Sequence, residues 1–273
     1  MDYKLPQLPE REENSNKGTF GKILNVSGSE YMTGAAYLSS IAALKIGAGY
    51  VELASHKNCL RAVSSLAPEV VLSPINRISE IIKTSTVLLI GCGLSITNEA
   101  VETFKNTIAL AEQLPSVIDA DGLNILSNNN IKLPENVILT PHPKEAARLL
   151  NCTLDHVLMN MEKCAMDITS KYNCITVLKS HRTIVTSQYG TIYHNKTGNS
   201  ALAKAGSGDV LAGMIAGLLA QHMNLFDASV LGVYLHGLAG DLAKNDLSAY
   251  GVLASDTIRY IPYAIKNYLI QKS

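Results

Sequence analysis

The sequence predicts a layered α/β domain built on a largely parallel sheet, and three observations carry that expectation. Between Lys22 and Tyr193, short β-branched runs alternate with longer Ala- and Leu-rich segments of helical length. The short runs are continuously apolar, as strands covered on both faces must be, instead of alternating in and out. Nearly every run ends in glycine or a polar residue, the chemistry of a turn at a strand's carboxyl end.

Taken in order, Lys22–Val26 leads into Ser27 and Gly28 and reads as the first strand with its turn. Thr33–Ile46 is rich in alanine and closes on Gly47 and Gly49, a buried helix with a glycine stop. Tyr50–Ala54 is the second strand, and Thr86–Ile90 is another, followed by Gly91-Cys92-Gly93 and a helix expected over Asn98–Gln113. Ser116–Asp119 is a strand whose end carries Asp119 and Asp121. Val137–Thr140 runs into Pro141-His142-Pro143, with a helix over Glu145–Leu150. Ile175–Lys179 and Thr183–Thr186 are strands, and Gly190–Tyr193 makes a hairpin with the latter. From Ala201 onward the pattern is helical to the end. No linker, charge block or repeat divides the chain, so one domain over 1–273 with a polar leader at 1–17 is expected.

Composition narrows the function. Apolar residues at 47% supply a substantial core, and charged residues at 17% are too few for a disordered chain. Trp is absent and Phe numbers 3, so that core rests on aliphatics and alanine. Lys+Arg 23 balance Asp+Glu 23, which gives no electrostatic reason to expect a nucleic-acid partner. The longest apolar run, Val210–Ala220, is eleven residues, against about 20 for a membrane span. The polar N-terminus lacks the apolar stretch of a signal peptide. Five cysteines without a C-x-x-C pair read as reduced thiols of a cytoplasmic protein. An enzyme or small-molecule binder remains.

Open α/β sheets bind ligands outside the carboxyl ends of their strands. Here those ends carry Gly28, Gly91–Gly93, Asp119–Gly122, Thr140–Pro143 and Lys179–Thr183. Turn chemistry explains each singly; five together read as a site. The sharpest local signal is AGSGDVLAGMIAG at 205–217. Gly206 and Gly208 let backbone amides converge at the start of a helix, where the dipole favours an anion. Asp209 on its first turn reads two ways: an acid favoured at a helix N-terminus, or a general base beside a phosphate-binding nest. Gly213 and Gly217 let the helix pack closely. Neither a Walker A loop nor a G-x-G-x-x-G fingerprint occurs, and no zinc-ligand spacing does, so no protein-built metal site is expected.

Weaker candidates stay open. Asp119, Asp121 and Asn124 either orient a ligand or hydrated Mg²⁺ or serve turns and caps. Glu145 either fixes His142 or is a first-turn acid. His236 and Asp241 read as a satisfied buried polar pair, with Asp241 also a candidate border of a nucleotide site. Tyr250, Tyr260, Tyr263 and Tyr268 read as core or subunit contact.

The stretch AGSGDVLAGMIAG closely resembles the signature of the ADP/ATP-dependent NAD(P)H-hydrate dehydratases of the ribokinase-like superfamily. Further segments agree in order and spacing: KGTFGKILNVSGS at 17–29, MTGAAYLSSIAALKIGAGYV at 32–51, LLIGCGL at 88–94, DADGLNIL at 119–126, LTPHPKEAARLL at 139–150 and HGLAGDLA at 236–243. The resemblance covers nearly the whole chain. It implies a three-layer α/β/α fold with a largely parallel central sheet. It also implies an enzyme that repairs the S form of hydrated NADH or NADPH, with ADP or ATP as co-substrate and Mg²⁺ as cofactor.

By the same resemblance, Asp209 would be the catalytic base on the ring hydroxyl. Gly34, Ala35 and Ala36, Gly91 and Gly93, Asp121 and His142 would, with Asp209, contact the hydrated dinucleotide. Lys179, Ser180, His181, Arg182 and Thr183, together with Gly206, Ser207 and Gly208, would hold the adenine nucleotide. Two positions depart from the family pattern: Lys144 and Ser180 stand where glycine is common. Lys144 is expected in solvent. The resemblance also suggests a homo-oligomer, a tetramer. The extra N-terminal epimerase domain of fused members is not recognised, so that activity is expected from a separate protein. Two other readings compete: a ribokinase-like small-molecule kinase of hydroxymethylpyrimidine or hydroxyethylthiazole type, and a nucleotide-binding regulator without turnover. The small residues at Gly34–Ala36 and the P-H-P turn favour a dinucleotide substrate over the first. The retained Asp209 opposes the second.

Overall fold

The computed structural model describes residues 3–272. The chain opens with β1 (Lys22–Val26), α1 (Thr33–Lys45), β2 (Tyr50–Ser55), α2 (Lys57–Ser64), β3 (Val71–Pro74) and α3 (Ile78–Ile81). There follow β4 (Val87–Ile90), α4 (Asn98–Leu110), β5 (Ser116–Ile118), α5 (Asp121–Asn128), β6 (Val137–Leu139) and α6 (Pro143–Leu150). Two helices, α7 (Leu154–Met159) and α8 (Met161–Tyr172), lead to β7 (Ile175–Leu178), β8 (Ile184–Thr186) and β9 (Ile192–His194). The chain ends in α9 (Ser207–Ala220), α10 (Leu225–Gly251, broken at Ser248 where φ is 67°) and α11 (Ala254–Lys272).

The nine strands of the described residues form one sheet in the order β3-β2-β1-β4-β5-β6-β7-β8-β9. Every pairing from β3 to β7 is parallel, and β8 and β9 add an antiparallel end. This is the ribokinase-like α/β fold, and the sequence's alternation of buried runs and helices is its cause: each parallel return needs a crossover. The chain winds outward from β1 through β2 to β3, then starts again beside β1 with β4. A topological switch point therefore lies between β1 and β4.

Side chains alternate between two cores. Ile23, Leu53, Leu89 and Val117 face the layer of α1, α9, α10 and α11, while Leu24, Ala54, Ile90 and Ile118 face the other. Helix α9 is apolar all round and is buried from Val210 to Ala220. Its contact with α1 depends on missing side chains: a Cβ on Gly213 would lie 2.2 Å from the Ser39 carbonyl oxygen, and one on Gly217 2.6 Å from that of Ala43. The polar leader is tied down across the helical layer. Tyr3 stacks edge-on against Phe226 and donates to Asp227 at 2.5 Å, the Tyr268 hydroxyl donates to the Pro6 carbonyl, and Arg11 reaches the Gly47 carbonyl at 3.0 Å.

Helix α4 stops at Leu110, three residues short of the expected Gln113. Tight turns at Ala111 and Leu114, each closed by an amide on the carbonyl three residues back, bring the chain through Pro115 into β5. The strand β3 and the helices α2, α3, α5, α7 and α8 have no counterpart in the sequence reading. No helix among the described residues is long and apolar enough to cross a membrane.

Candidate active site

The site forms where β4, β5 and β7 end and α9 begins. Gly206, with φ 91°, turns the chain into α9 in a conformation that disfavours a side chain, and a Cβ there would lie 2.5 Å from Leu38. Its role is thus the turn itself, and Gly208 is the glycine that opens the surface. A Cβ on Gly208 would meet the Lys179 Nζ at 3.2 Å and an Asp119 carboxylate oxygen at 3.7 Å. No side chain caps this 14-residue helix; the Ser207 amide donates to the Lys204 carbonyl, and those of Gly208 and Asp209 are left for a ligand.

Asp209 stands in the first turn of α9. One of its carboxylate oxygens, one from Asp119 and the Cys92 Sγ lie within 4.8 Å of one another. Burial pushes the Asp209 carboxyl up to about 6; the Asp119 charge adds to this, and Cys92 and Lys179 oppose it. A carboxylate so placed is ionised at neutral pH yet basic enough to take a hydroxyl proton. The Cys92 thiol, fully buried, is held well above its ordinary value by burial and by Asp209, so it stays protonated.

Lys179 ends β7 and pairs with Asp119 at 2.6 Å; the carboxylate side chain is 1% exposed and the lysine 17%. Burial alone would lower the ammonium, but Asp119 and Glu145 hold it above its ordinary value. The turn after it is knitted by its own side chains. The Arg182 amide donates to the Ser180 Oγ at 3.1 Å, and the Thr183 hydroxyl to the Ser180 carbonyl at 3.1 Å. Neither Ser180 nor Lys144 has positive φ, so neither departure from glycine strains the backbone, and Lys144 is exposed.

His142 caps α6. Its Nδ1 accepts the amides of Lys144 and Glu145 at 3.1 and 3.2 Å, while Glu145 accepts the His142 amide at 2.7 Å. Glu145 therefore both fixes His142 and is a first-turn acid. Burial raises the Glu145 carboxyl to about 7, and burial together with Lys179 lowers His142, which favours the neutral imidazole.

A cavity of about 620 Å³ opens beside these groups. Lys179, Ser180, His181, Thr183, Ser207 and Gly208 line it, with His142 at one side and Leu202, Leu211 and Val233 as an apolar floor. Arg182 and Gly206 lie outside its lining. Sequence reasoning missed the segment Asn195–Asn199, which also lines the cavity, and Lys204. Its signal was a run of polar residues beyond the hairpin. His236 and Asp241 are not the pair expected. The His236 Nε2 lies 3.3 Å from the Ser207 Oγ, whereas Asp241 accepts the Gly198 amide at 3.0 Å and the Asn199 side chain at 2.7 Å. His236 lines the cavity, whereas Asp241 lies outside its lining and holds Gly198 and Asn199, which line it. Burial lowers His236 to about 4.

The remaining candidates lie outside that cavity's lining. Gly93 lies against Ala35 and Met32, where a Cβ would come within 3.0 Å of either, and one on Gly91 would strike the Asp119 carbonyl at 2.1 Å. Gly34 is exposed at the start of α1, a helix that also lacks a side-chain cap. Asp121 accepts the Ser95 amide at 2.8 Å, and Asn124 accepts from Arg148 at 2.6 Å; both brace turns. Tyr268 is core, Tyr260 donates to Asp246 at 2.6 Å, and Tyr250 and Tyr263 are exposed.

A family described as NAD(P)H-hydrate dehydratase matches residues 23–263. The chain is 40% identical to an ADP-dependent (S)-NAD(P)H-hydrate dehydratase of Neisseria meningitidis, over 90% of this chain and 85% of that one. It is 36% identical to the bifunctional NAD(P)H-hydrate repair enzyme of Moorella thermoacetica over 96% of its own length, and spans about half (52%) of that relative. Among solved structures, the ADP/ATP-dependent NAD(P)H-hydrate dehydratase of Bacillus subtilis, co-crystallised with ATP/Mg²⁺, superposes with a TM-score of 0.87 at 31% identity. That match covers 96% of this chain and 94% of the other.

Proposed function

The chain belongs to the NAD(P)H-hydrate dehydratase family, and on that premise we propose that it uses ADP (or ATP) to dehydrate the S form of hydrated NADH or NADPH. Membership sets aside the small-molecule kinase reading. One observation carries the activity: a carboxylate raised to about 6, Asp209, stands in the first turn of an uncapped helix beside a buried lysine and a nucleotide-sized cavity.

The chemistry follows from that arrangement. Hydroxide is a poor leaving group, so the ring hydroxyl must first be converted. Asp209 takes its proton as the oxygen forms a bond to the terminal phosphorus of the nucleotide, and the phosphoanhydride bond breaks to release AMP (or ADP). The ring nitrogen then pushes its electron pair toward the ring, the carbon–oxygen bond breaks, and phosphate leaves; loss of a proton from the neighbouring carbon restores NAD(P)H. The protein's work is to position the donor, offset its charge and accept the hydroxyl proton. The amides at the start of α9 and Lys179 serve the donor phosphates. Gly208 keeps the approach open, and Ser180, His181, Thr183 and Ser207 line the nucleotide's seat. Gly34–Ala36, Gly91, Gly93, Asp121 and His142 are assigned to the hydrated dinucleotide.

Mg²⁺ fits the donor set in part. Oxygens of Asp119 and Asp209 lie within 4.8 Å of one another, a spacing for one hydrated hard cation, while the Cys92 sulfur is too soft to belong. Those two carboxylates would hold the ion, which would offset charge on the donor phosphates. The reading extends to one domain, working as a cytoplasmic homotetramer. Free thiols at Cys59, Cys92, Cys152, Cys164 and Cys174 fit a reducing compartment, and exposed Tyr250 and Tyr263 offer contact surface. Light scattering tests the assembly. For the activity, hydrated NADH is mixed with protein, Mg²⁺ and ADP or ATP, and the reduced-nicotinamide absorbance is followed. Recovery with either nucleotide is expected; none with both refutes the proposal.

A further inference from the structure

A second cavity, of about 230 Å³, opens at the switch point between β1 and β4, the place where open α/β sheets form a ligand crevice. Gly28 and Glu30 line it after β1, and Ser95 and Glu99 line it after β4. It borders the segment that carries Cys92, the residue beside the catalytic carboxylate. The Gly28 amide donates to the Cys92 carbonyl at 2.8 Å, and the Cys92 sulfur lies within 4.8 Å of Asp209. A ligand whose reacting ring meets Asp209 can thus extend one way along the sheet's carboxyl edge into this crevice while the nucleotide occupies the other.

The two cavities differ in charge. Lys179 and Lys204 line the first, with no carboxylate among its lining residues. Glu30 and Glu99 line the second, with no lysine or arginine among its lining residues. Even the helix end that could have drawn an anion is closed to one. Thr97 caps α4 through the Ala100 amide, and Glu99 occupies its first turn. Glu30 is steadied by the Asn58 side chain at 3.2 Å, and the single imidazole on the wall, His56, is turned to its own helix, its Nδ1 accepting the Asn58 amide. At the mouth stands Tyr31, 89% exposed, an aromatic face free to stack on a base. Carboxylates accept from a ribose diol and repel a phosphate on the same ring.

Resting on the dehydratase reading above, we propose that this crevice receives the adenosine end of the hydrated dinucleotide and selects a free 2′-hydroxyl over a 2′-phosphate. Hydrated NADH is then the preferred substrate over hydrated NADPH. Two like charges brought near the extra phosphate at a solvent-open site correspond to a preference of about tenfold in kcat/KM.

The test compares kcat/KM for the two hydrated cofactors in the full chain, in the Glu30→Gln/Glu99→Gln double variant and in Glu99→Lys. Both glutamates are exposed, so the variants should fold with a Tm lowered by only a few degrees, most in Glu99→Lys, where a cation replaces the first-turn acid of α4. The wild type favours hydrated NADH, the double variant moves the ratio toward one, and Glu99→Lys moves it further, chiefly through KM for hydrated NADPH. Raising the salt narrows the wild-type ratio. Parity or the opposite preference in the wild type overturns the proposal, as does a ratio that the variants leave unmoved. If neither cofactor is dehydrated, the dehydratase reading fails. The crevice is then judged by direct binding of NADH and NADPH, where equal Kd values overturn it and tighter NADH binding, weakened in the Gln variants, supports it.

Discussion

Replacing Asp209 with asparagine separates its catalytic role from its structural cost. The substitution keeps the shape and removes the charge. Loss of a positioned general base lowers kcat by about 10²–10⁴-fold. In the wild type the carboxyl titrates near 6, so the rate should fall below that pH, and the asparagine variant's residual rate should lose this acid limb. Stability moves the other way. A carboxylate raised from 3.8 to about 6 favours the fold fully below its unfolded value and loses that advantage as pH rises through 6. At pH 8 the ionised Asp209 therefore costs the fold up to about 3 kcal/mol, at 1.36 kcal/mol per pH unit. Asp209→Asn relieves part of that, and Tm should rise by several degrees at pH 8 and change little at pH 4. Dehydration rates and melting curves across pH 4–9 decide the matter. Full activity in the variant, or a lowered Tm at pH 8, would refute the assignment of a buried, destabilised base.

Lys179→Met leaves the Asp119 carboxylate buried without its partner, a loss of about 3–5 kcal/mol. Calorimetry at neutral pH should record that loss as a clearly lowered Tm. Gly208→Ala puts a methyl 3.2 Å from the flexible end of Lys179. The fold should survive while KM for the nucleotide rises, measured by varying ADP at saturating substrate. Gly213→Ala drives a methyl to 2.2 Å from the Ser39 carbonyl and forces α1 from α9. It should lose about 2 kcal/mol or more in a denaturant titration. Removing residues 1–11 strips the Tyr3–Asp227 and Tyr268–Pro6 hydrogen bonds, and should lower Tm while kcat at low temperature persists.

The inner parallel strands were legible because each is a short run buried on both sides, and Gly28, Gly91 and Asp119 mark where three of them stop. Helix α9 was legible because its start needs Gly206 at positive φ and its body needs Gly213 and Gly217 against α1. Strand β3 was not: Val71-Leu72-Ser73-Pro74 is four residues, half exposed, at the sheet's edge, where the apolar signal is weakest and proline is tolerated. Helix α8 escaped because MEKCAMDITSKY mixes charge with a narrow buried stripe of Cys164, Ala165, Ile168 and Thr169. Within the site, Lys179 and Asp119 are 60 residues apart in sequence and touch only once β5 and β7 align. Cys92 reads as a turn residue between two glycines until Asp209 is folded beside it.

A chain with no net charge has to bind anionic ligands by arranging charge locally, and the Asp119–Lys179 pair is how this fold does so. Alone, a lysine at the base of the cavity would have its ammonium lowered by burial, and alone, Asp119 would repel a phosphate. Paired at 2.6 Å the ammonium is held charged, and the carboxylate lies behind it, 1% exposed, while the Nζ is aimed past Gly208 toward the first turn of α9. The incoming phosphate therefore meets the positive end of a fixed dipole together with uncapped helix amides, and the ordering cost was met during folding. Asp209, on the same turn, feels Asp119 more than Lys179, which keeps it basic. One buried pair thus serves two opposite needs, attraction of the donor and basicity of the acceptor's partner. That is why replacing either member should disturb nucleotide KM and the acid limb of kcat together, whereas Gly208→Ala should move KM alone.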